Sequence, residues 1–248
     1  MKISVITATY NSAATVRDTL TSICRQDHPD IEHIIIDGRS TDGTLGIVAH
    51  FPHVAKIVSE KDKGIYDAMN KGIRLATGDV IGILNSDDIY IDGSVLSAVA
   101  TAFADPDVMT VYADLQYVDA DNPDRIKRTW ITGPFRKSSF YYGWMPPHPT
   151  FFVRREVYER TGLFNTDLRS AADYELMLRI LLKHGVPAYY IPRVIVKMRA
   201  GGVSNASLGN RLRANREDRL AWKLNGLRPY FFTLYLKPLR KITQFKIT

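Results

Sequence analysis

The chain has 248 residues, 45% of them apolar and 24% charged, and a net charge of +7. That length buries a sizeable core, and no apolar run approaches the roughly 20 residues needed to span a bilayer. Cys24 is the only cysteine, which excludes an intrachain disulfide and Cys-rich zinc sites and makes a reducing cytosol the expected compartment.

The opening MKISVITATYNS has too short an apolar run for a secretory signal and reads as a first strand. Asn11 and Ser12 follow as candidate caps for a helix over AATVRDTLTSICRQ, where Val16, Leu20 and Ile23 recur at helical spacing. IEHIIID is a second strand. Ser40 or Thr41 is placed to cap a helix over LGIVAHF. VAKIVSE is a third strand, GIYDAMNKGIRLATG a third helix, and DVIGIL a fourth strand. Strand–helix alternation predicts an α/β fold with a parallel sheet, whose ligands bind beyond the carboxyl ends of the strands. Thr9, Asp37, Asp62 and the pair Asp87/Asp88 all sit just past predicted strand ends.

Neither GxxxxGK[ST] nor a GxGxxG after the first strand is present, so a glycine phosphate cradle is not expected. If the protein holds a phosphate, a metal and carboxylates are the expected means. Side chains alternate along an extended segment, so Asp87 and Asp88 point in different directions. One carboxylate suits Mg²⁺ or Mn²⁺, and the other is free for a neighbouring group such as a ribose hydroxyl. An Asn and two acids also make an ordinary turn. Asp173, in SAADYELMLRILLKHG, falls near the start of a helix, where a carboxylate is electrostatically favoured. It is either a first-turn charge or a general base, and the second role needs an acceptor hydroxyl within hydrogen-bond reach.

SVITATYNS, IIIDGRSTDGT, EKDKGIYDAMNKGIRLATGD, ILNSDD and AADYELMLRI occur in the order and spacing of family 2 glycosyltransferases, and the chain resembles that family over about residues 1–205. DKGIYDAMNKG with LNSDD and GGVS is similar to the branch that includes colanic-acid-type exopolysaccharide transferases. The resemblance implies a GT-A fold, a Rossmann-like, mostly parallel central sheet flanked by helices. It further implies an inverting, metal-dependent hexosyltransferase using a UDP, GDP or dTDP sugar and Mn²⁺ or Mg²⁺. By motif match, Thr7, Thr9, Tyr10, Asp37, Arg39, Asp62, Asn70, Asp87 and Arg199 would meet the donor, with Asp37 at the base and Asp87 at the ribose or sugar. Asp88 would bind the metal, and Asp173 would be the base. Surface-polysaccharide biosynthesis on a polyprenyl-linked saccharide acceptor is the implied setting.

Two departures stand out. Family members often carry two acids in DDGS, whereas this chain has Asp37-Gly38-Arg39-Ser40, which leaves the nucleobase open. Arg39 either pairs with donor phosphate or is an exposed loop cation. Arg199 stands where many relatives place a His; it suits a phosphate grip but not metal ligation. In SSFYYGWMPPHPTFF, Tyr141, Tyr142, Trp144 and His148 either line an acceptor groove or belong to the core.

These features divide the chain into a donor half (1–115), an acceptor and catalytic half (116–205) and a tail (206–248). The tail carries +8 against −1 for the rest of the chain and contains PYFFTLYL. Such a tail suits an anionic membrane surface, on the inner face of the cell membrane, or packs on the body as a terminal helix. Rival functions are a nucleotide-sugar pyrophosphorylase, which should open on a Gly-rich loop bearing Arg and Lys, and a nucleic-acid-binding protein. The acidic body and missing recognition motif argue against nucleic acid as a partner.

Overall fold

The computed structural model describes residues 1–201 and 208–240, with side chains described for 1–201 and 213–240. β1 (Ile3–Thr9) is buried along its whole length, the pattern of a central strand covered on both faces. It leads through α1 (Val16–Cys24) to β2 (Ile31–Asp37), α2 (Thr44–Val48), β3 (Val54–Ser59), α3 (Ile65–Leu75) and β4 (Val80–Ile83). β1 pairs in parallel with both β2 and β4, and β2 with β3.

The second half begins with β5 (Asp88–Tyr90), α4 (Val95–Ala102), β6 (Thr110–Val118) and β7 (Ile126–Trp130). β8 (Phe152–Arg154), α5 (Arg155–Thr161) and α6 (Ala172–Met177) follow; α6 continues as a π-helical segment, Leu178–Lys183. β9 (Ala188–Arg199), α7 (Leu208–Leu224) and α8 (Thr233–Leu239) complete the described chain. The sheet order is β3-β2-β1-β4-β8-β6-β9-β5, with β7 on β6. β8 is antiparallel to β4 and β6, so β6, and β9 parallel to it, run in the same sense as β4. The mostly parallel α/β sheet expected from the sequence is present, and β6 carries it unbroken across position 115.

α3 buries Ala68, Met69 and Ile73, and it lies close enough that a Cβ on Gly72 would run into the Ile6 side chain. The predicted caps are corrected. Asn11 has φ +48° and accepts from the Thr41 amide (2.9 Å), while its own amide donates to Ser40 Oγ (2.8 Å). Polar residues predicted to start helices instead stitch the loop after β1 to the loop after β2. Asp42 takes the role next to α2, accepting from the Thr44 amide at 3.0 Å.

The tail packs on the body. Ala221 and Trp222 of α7 are fully buried, Trp222 Nε1 donates to Tyr174 Oη (3.0 Å), and Thr233 Oγ1 donates to the Tyr141 carbonyl (2.6 Å). An aromatic ridge stays outside: Phe231 is 88% exposed and Tyr235 62%. Arg211, Lys241, Lys246 and the Gly202–Ser204 part of GGVS lie outside the described side chains.

His33 in β2 is fully buried between Thr7 Oγ1 (3.1 Å) and His53 Nε2 (3.1 Å). Burial, reinforced by His53, lowers its pKa to about 3. The unfolded chain takes up this proton below the ordinary value of 6.5, whereas the folded chain does not. Stability is therefore full above pH 6.5 and falls towards pH 3, with a slope of about 1.4 kcal/mol per pH unit from this group. Urea midpoints measured across that range should show the slope, and His33→Leu should flatten it; an equal slope in the variant would refute the assignment.

Candidate active site

A cleft of about 1210 Å³ opens at the carboxyl ends of β1 to β4. The loops after these strands supply Thr9, Tyr10, Gly38, Asp62, Asn85 and Asp87, and the second half supplies His148, Asp173 and Arg199. This is where an α/β sheet binds ligands, because only there do loops from successive parallel strands converge.

Asp173 lies in the first turn of α6, with each carboxylate oxygen attended. Tyr66 Oη donates to Oδ1 (3.3 Å), and His148 Nδ1 lies 3.6 Å from Oδ2. On the other side of the imidazole, Asn85 Nδ2 is 3.0 Å from His148 Nε2 and also donates to Asp88 Oδ2 (3.1 Å). Both Asn85 contacts require a donor nitrogen, so His148 Nε2 accepts and its proton sits on Nδ1, towards Asp173. Burial holds the His148 pKa below the ordinary range, against the opposing pull of Asp173 and Asp87. A neutral imidazole thus separates Asp173 from the acid turn.

The adjacent acids have different surroundings, as strand alternation predicts. Asp87 is half-buried and lines the cleft. Asp88 is fully enclosed, its Oδ1 has no hydrogen-bond partner, and burial together with the Asp87 charge raises its pKa well above the usual carboxylate value. The Asp88 carboxylate, expected to bind the metal, is buried against Asn85 and does not line the cleft, whereas Asp87 does. Among the described residues no cluster of three or more His, Cys, Asp or Glu could enclose an ion. The orphaned Asp88 oxygen behind an accessible Asp87 still fits a cation that takes its remaining ligands from a diphosphate.

Other predicted contacts divide sharply. Thr9, Tyr10 and Asp62 reach the cleft, the last also accepting from Lys71 Nζ at 2.5 Å. Thr7 does not, because its hydroxyl faces buried His33. Asp37 is a brace: buried, it accepts from Thr9 (2.9 Å), Ser40 (2.5 Å) and Ser59 (2.7 Å) hydroxyls and from the Ser40 amide (3.0 Å). Burial pushes its pKa up, but these bonds outweigh it and hold the carboxyl below its usual value. Asn70 is also structural, exchanging two 2.9 Å bonds with the Phe164 backbone. Arg39 is exposed, at φ +64°, and does not line the cleft.

Arg199 lines the cleft with its guanidinium committed. It donates to the Ala120 carbonyl (3.0 Å), the Asp87 carbonyl (3.0 Å) and Asp18 Oδ2 (2.5 Å). It fixes the acid turn instead of gripping a phosphate. Trp144 is corrected as an acceptor contact: it is 4% exposed, its Nε1 donates to the Thr132 carbonyl (2.8 Å), and Phe135 stacks on it. His148 does reach the cleft, between the two acid centres.

Tyr66 and Asn85 were not singled out from the sequence. Both had a signal: Asn85 follows the fourth strand as Asp37 ends the second, and Tyr66 opens the helix whose amino end meets the same rim.

A mostly parallel sheet with this acid-walled cleft is a GT-A scaffold, and solved structures agree. The chain is similar to Staphylococcus aureus TarS 1-349 in complex with UDP-GlcNAc, at TM-score 0.71 and 18% identity over 91% of this chain and 65% of that one. It also resembles the mannosyltransferase PcManGT of Pyrobaculum calidifontis, solved with GDP-Man and Mn²⁺, at TM-score 0.68 and 24% identity over 95% of this chain and 68% of that one. This chain spans 39% of the longer solved form of TarS. In sequence it is 32% identical over 207 residues to a PGL/p-HBAD biosynthesis glycosyltransferase of Mycobacterium bovis, covering 82% of this chain and 78% of the relative. The family model "Glycosyl transferase family 2" matches residues 4–162. The chain belongs to glycosyltransferase family 2 and is a glycosyltransferase.

Proposed function

We propose that the enzyme moves a sugar, with inversion, from a nucleotide-diphosphate donor to a hydroxyl of a lipid-linked saccharide in surface-polysaccharide or glycolipid assembly. The carrying observation is the pair of acids in one cleft, Asp87 on the acid turn and Asp173 braced by Tyr66 and His148. Residues 1–115 form the donor side and 116–205 the acceptor side.

Asp173 accepts the proton of the acceptor hydroxyl as its oxygen attacks the anomeric carbon from behind. The bond from that carbon to the diphosphate oxygen breaks on the opposite face, and the electron pair leaves with the nucleotide diphosphate. Mn²⁺ or Mg²⁺, held by Asp87 with the Asp88 charge behind it, would supply charge neutralisation for the leaving diphosphate. PcManGT solved with Mn²⁺ supports a divalent ion here.

Thermal unfolding with UDP, GDP and dTDP, each with and without Mn²⁺, tests this reading. One nucleotide should stabilise the protein in a metal-dependent way, by about 2.7 kcal/mol at a hundred times its dissociation constant, and Asp87→Ala should abolish the effect. No stabilisation by any nucleotide would overturn the donor site.

The tail supports peripheral attachment to the inner face of the membrane. No described helix is long and apolar enough to cross one. The exposed Phe231 and Tyr235, with Arg228 and Arg240 nearby in sequence, suit an anionic lipid interface. Deleting the tail would expose the core around Trp222, so point variants are the better probe. Phe231→Ser with Tyr235→Ser should abolish sedimentation with phosphatidylglycerol vesicles while leaving the melting temperature unchanged; unchanged sedimentation would sink the attachment.

A further inference from the structure

Glu217 of α7 accepts from the Ser170 amide (2.7 Å) and the Ala171 amide (3.1 Å), which clamps α7 against the loop leading into Asp173. Arg213 lies one helical turn before Glu217, on the same face of α7. Arg169 immediately precedes Ser170. Both arginines are exposed, and both line the cleft together with Ser170 and Asp173.

Lys61 stands on the rim after β3, and the other bases of the wall are engaged. Arg199 pairs with Asp18, Lys127 with Asp119 (3.0 Å), and Arg128 lies over the Tyr117 ring (3.6 Å). Among the described residues Arg169 and Arg213 have neither an ion pair nor a hydrogen bond from the side chain. Two unpaired guanidinium groups beside a carboxylate base have no structural task, since Glu217 already ties the two segments together. A neutral saccharide would not require them, whereas their planar forks match the oxygens of a phosphate or carboxylate.

We propose that Arg169 and Arg213 form an anion subsite on the acceptor side, so that the acceptor carries a phosphate or carboxylate near its reacting hydroxyl. This rests on the transferase reading above, in which Asp173 faces the acceptor. The subsite belongs to the acceptor because it is built from the α6–α7 side of the cleft, while the acid turn lies between β4 and β5. The shared chemistry is an anionic oxygen cluster, supplied either by a lipid diphosphate or by an acidic sugar.

Calorimetry on the full chain tests the subsite with the donor site filled by the stabilising nucleotide diphosphate and Mn²⁺. Farnesyl diphosphate and methyl glucuronide are the anionic probes, and farnesol and methyl glucoside their neutral counterparts. At least one anionic probe should bind more tightly than its counterpart. Arg169→Gln with Arg213→Gln should weaken that binding at least tenfold, leaving nucleotide affinity within twofold and melting temperature unchanged. Binding of farnesyl diphosphate identifies a lipid diphosphate as the source, and of methyl glucuronide an acidic sugar. Absence of anionic binding to the filled protein, or equal binding by the double variant, overturns the subsite. A tenfold loss of nucleotide affinity in the double variant also overturns it, by assigning the pair to the donor. Failure of every nucleotide to bind wild type would instead remove the transferase reading, and this inference with it.

Discussion

Asp173→Asn is expected to lower kcat by about 10²–10⁴-fold, the range for loss of a positioned general base, while nucleotide binding stays within twofold of wild type. The argument is geometric. Tyr66 and His148 attend one oxygen each, so an amide of the same shape fits the same brace. It cannot accept a proton at neutral pH. The acid turn does not contact Asp173 directly, because His148 stands between it and Asn85. Single-turnover rates and nucleotide calorimetry on the variant separate the two effects. Wild-type turnover would dismiss Asp173 as the base, and lost nucleotide binding would make it part of the donor site.

Asp88→Asn should stabilise the metal-free protein, by roughly 1–3 kcal/mol, because it removes the ionisable group from a fully buried position, while weakening Mn²⁺-dependent nucleotide binding. Asp88 is fully buried with an orphaned oxygen, and burial and the Asp87 charge raise its pKa. A raised folded-state pKa means that stability is fully present below the ordinary value of 3.8 and is lost as pH rises. The gain in the variant should therefore be largest at neutral pH and vanish near pH 4. Denaturant unfolding at pH 7 and pH 4, without metal, measures both ends. A variant less stable than wild type at pH 7 would show that the buried charge has compensation outside the hydrogen bonds described above. Stability here is traded for a carboxyl group placed behind the cleft, the cost that functional sites commonly carry.

Much of the donor half was legible because its signals are local. Alternating apolar strands and periodic helices specify the parallel sheet, and the topology then places strand-end polar residues at one rim. What could not be read was which of those residues look into the cleft. Asp37 and Asp62 both follow strands, yet Asp37 is consumed by three hydroxyl groups and an amide while Asp62 lines the wall. That difference depends on Ser59 arriving at the end of β3 and Ser40 in the loop after β2. Trp144 and Asn70 fail for the same reason: a polar or aromatic residue near a site satisfies itself against backbone that only the folded chain supplies. Which of the two acids lines the cleft was not legible, because Asp88 begins β5, which hangs on β9. The tail's packing was undecidable from composition, since Trp222 and Phe231 have similar apolar character and opposite fates.

The dependence of β5 on β9 bears on how the enzyme comes into being during synthesis. Asp88 pairs with Met198, and Arg199 reaches back across 112 positions to hold the Asp87 carbonyl. A nascent chain that has exposed only the donor half has its parallel strands and most of the nucleotide rim, and Thr19 of α1 to hold the Asp88 carbonyl (2.7 Å), but neither the β9 partner of β5 nor Arg199. The donor centre is completed only when the last strand emerges, so a prematurely released chain would lack a working centre. Long-range closure of this kind is slow. It makes the emergence of β9, well after the donor half, the step that completes the catalytic centre.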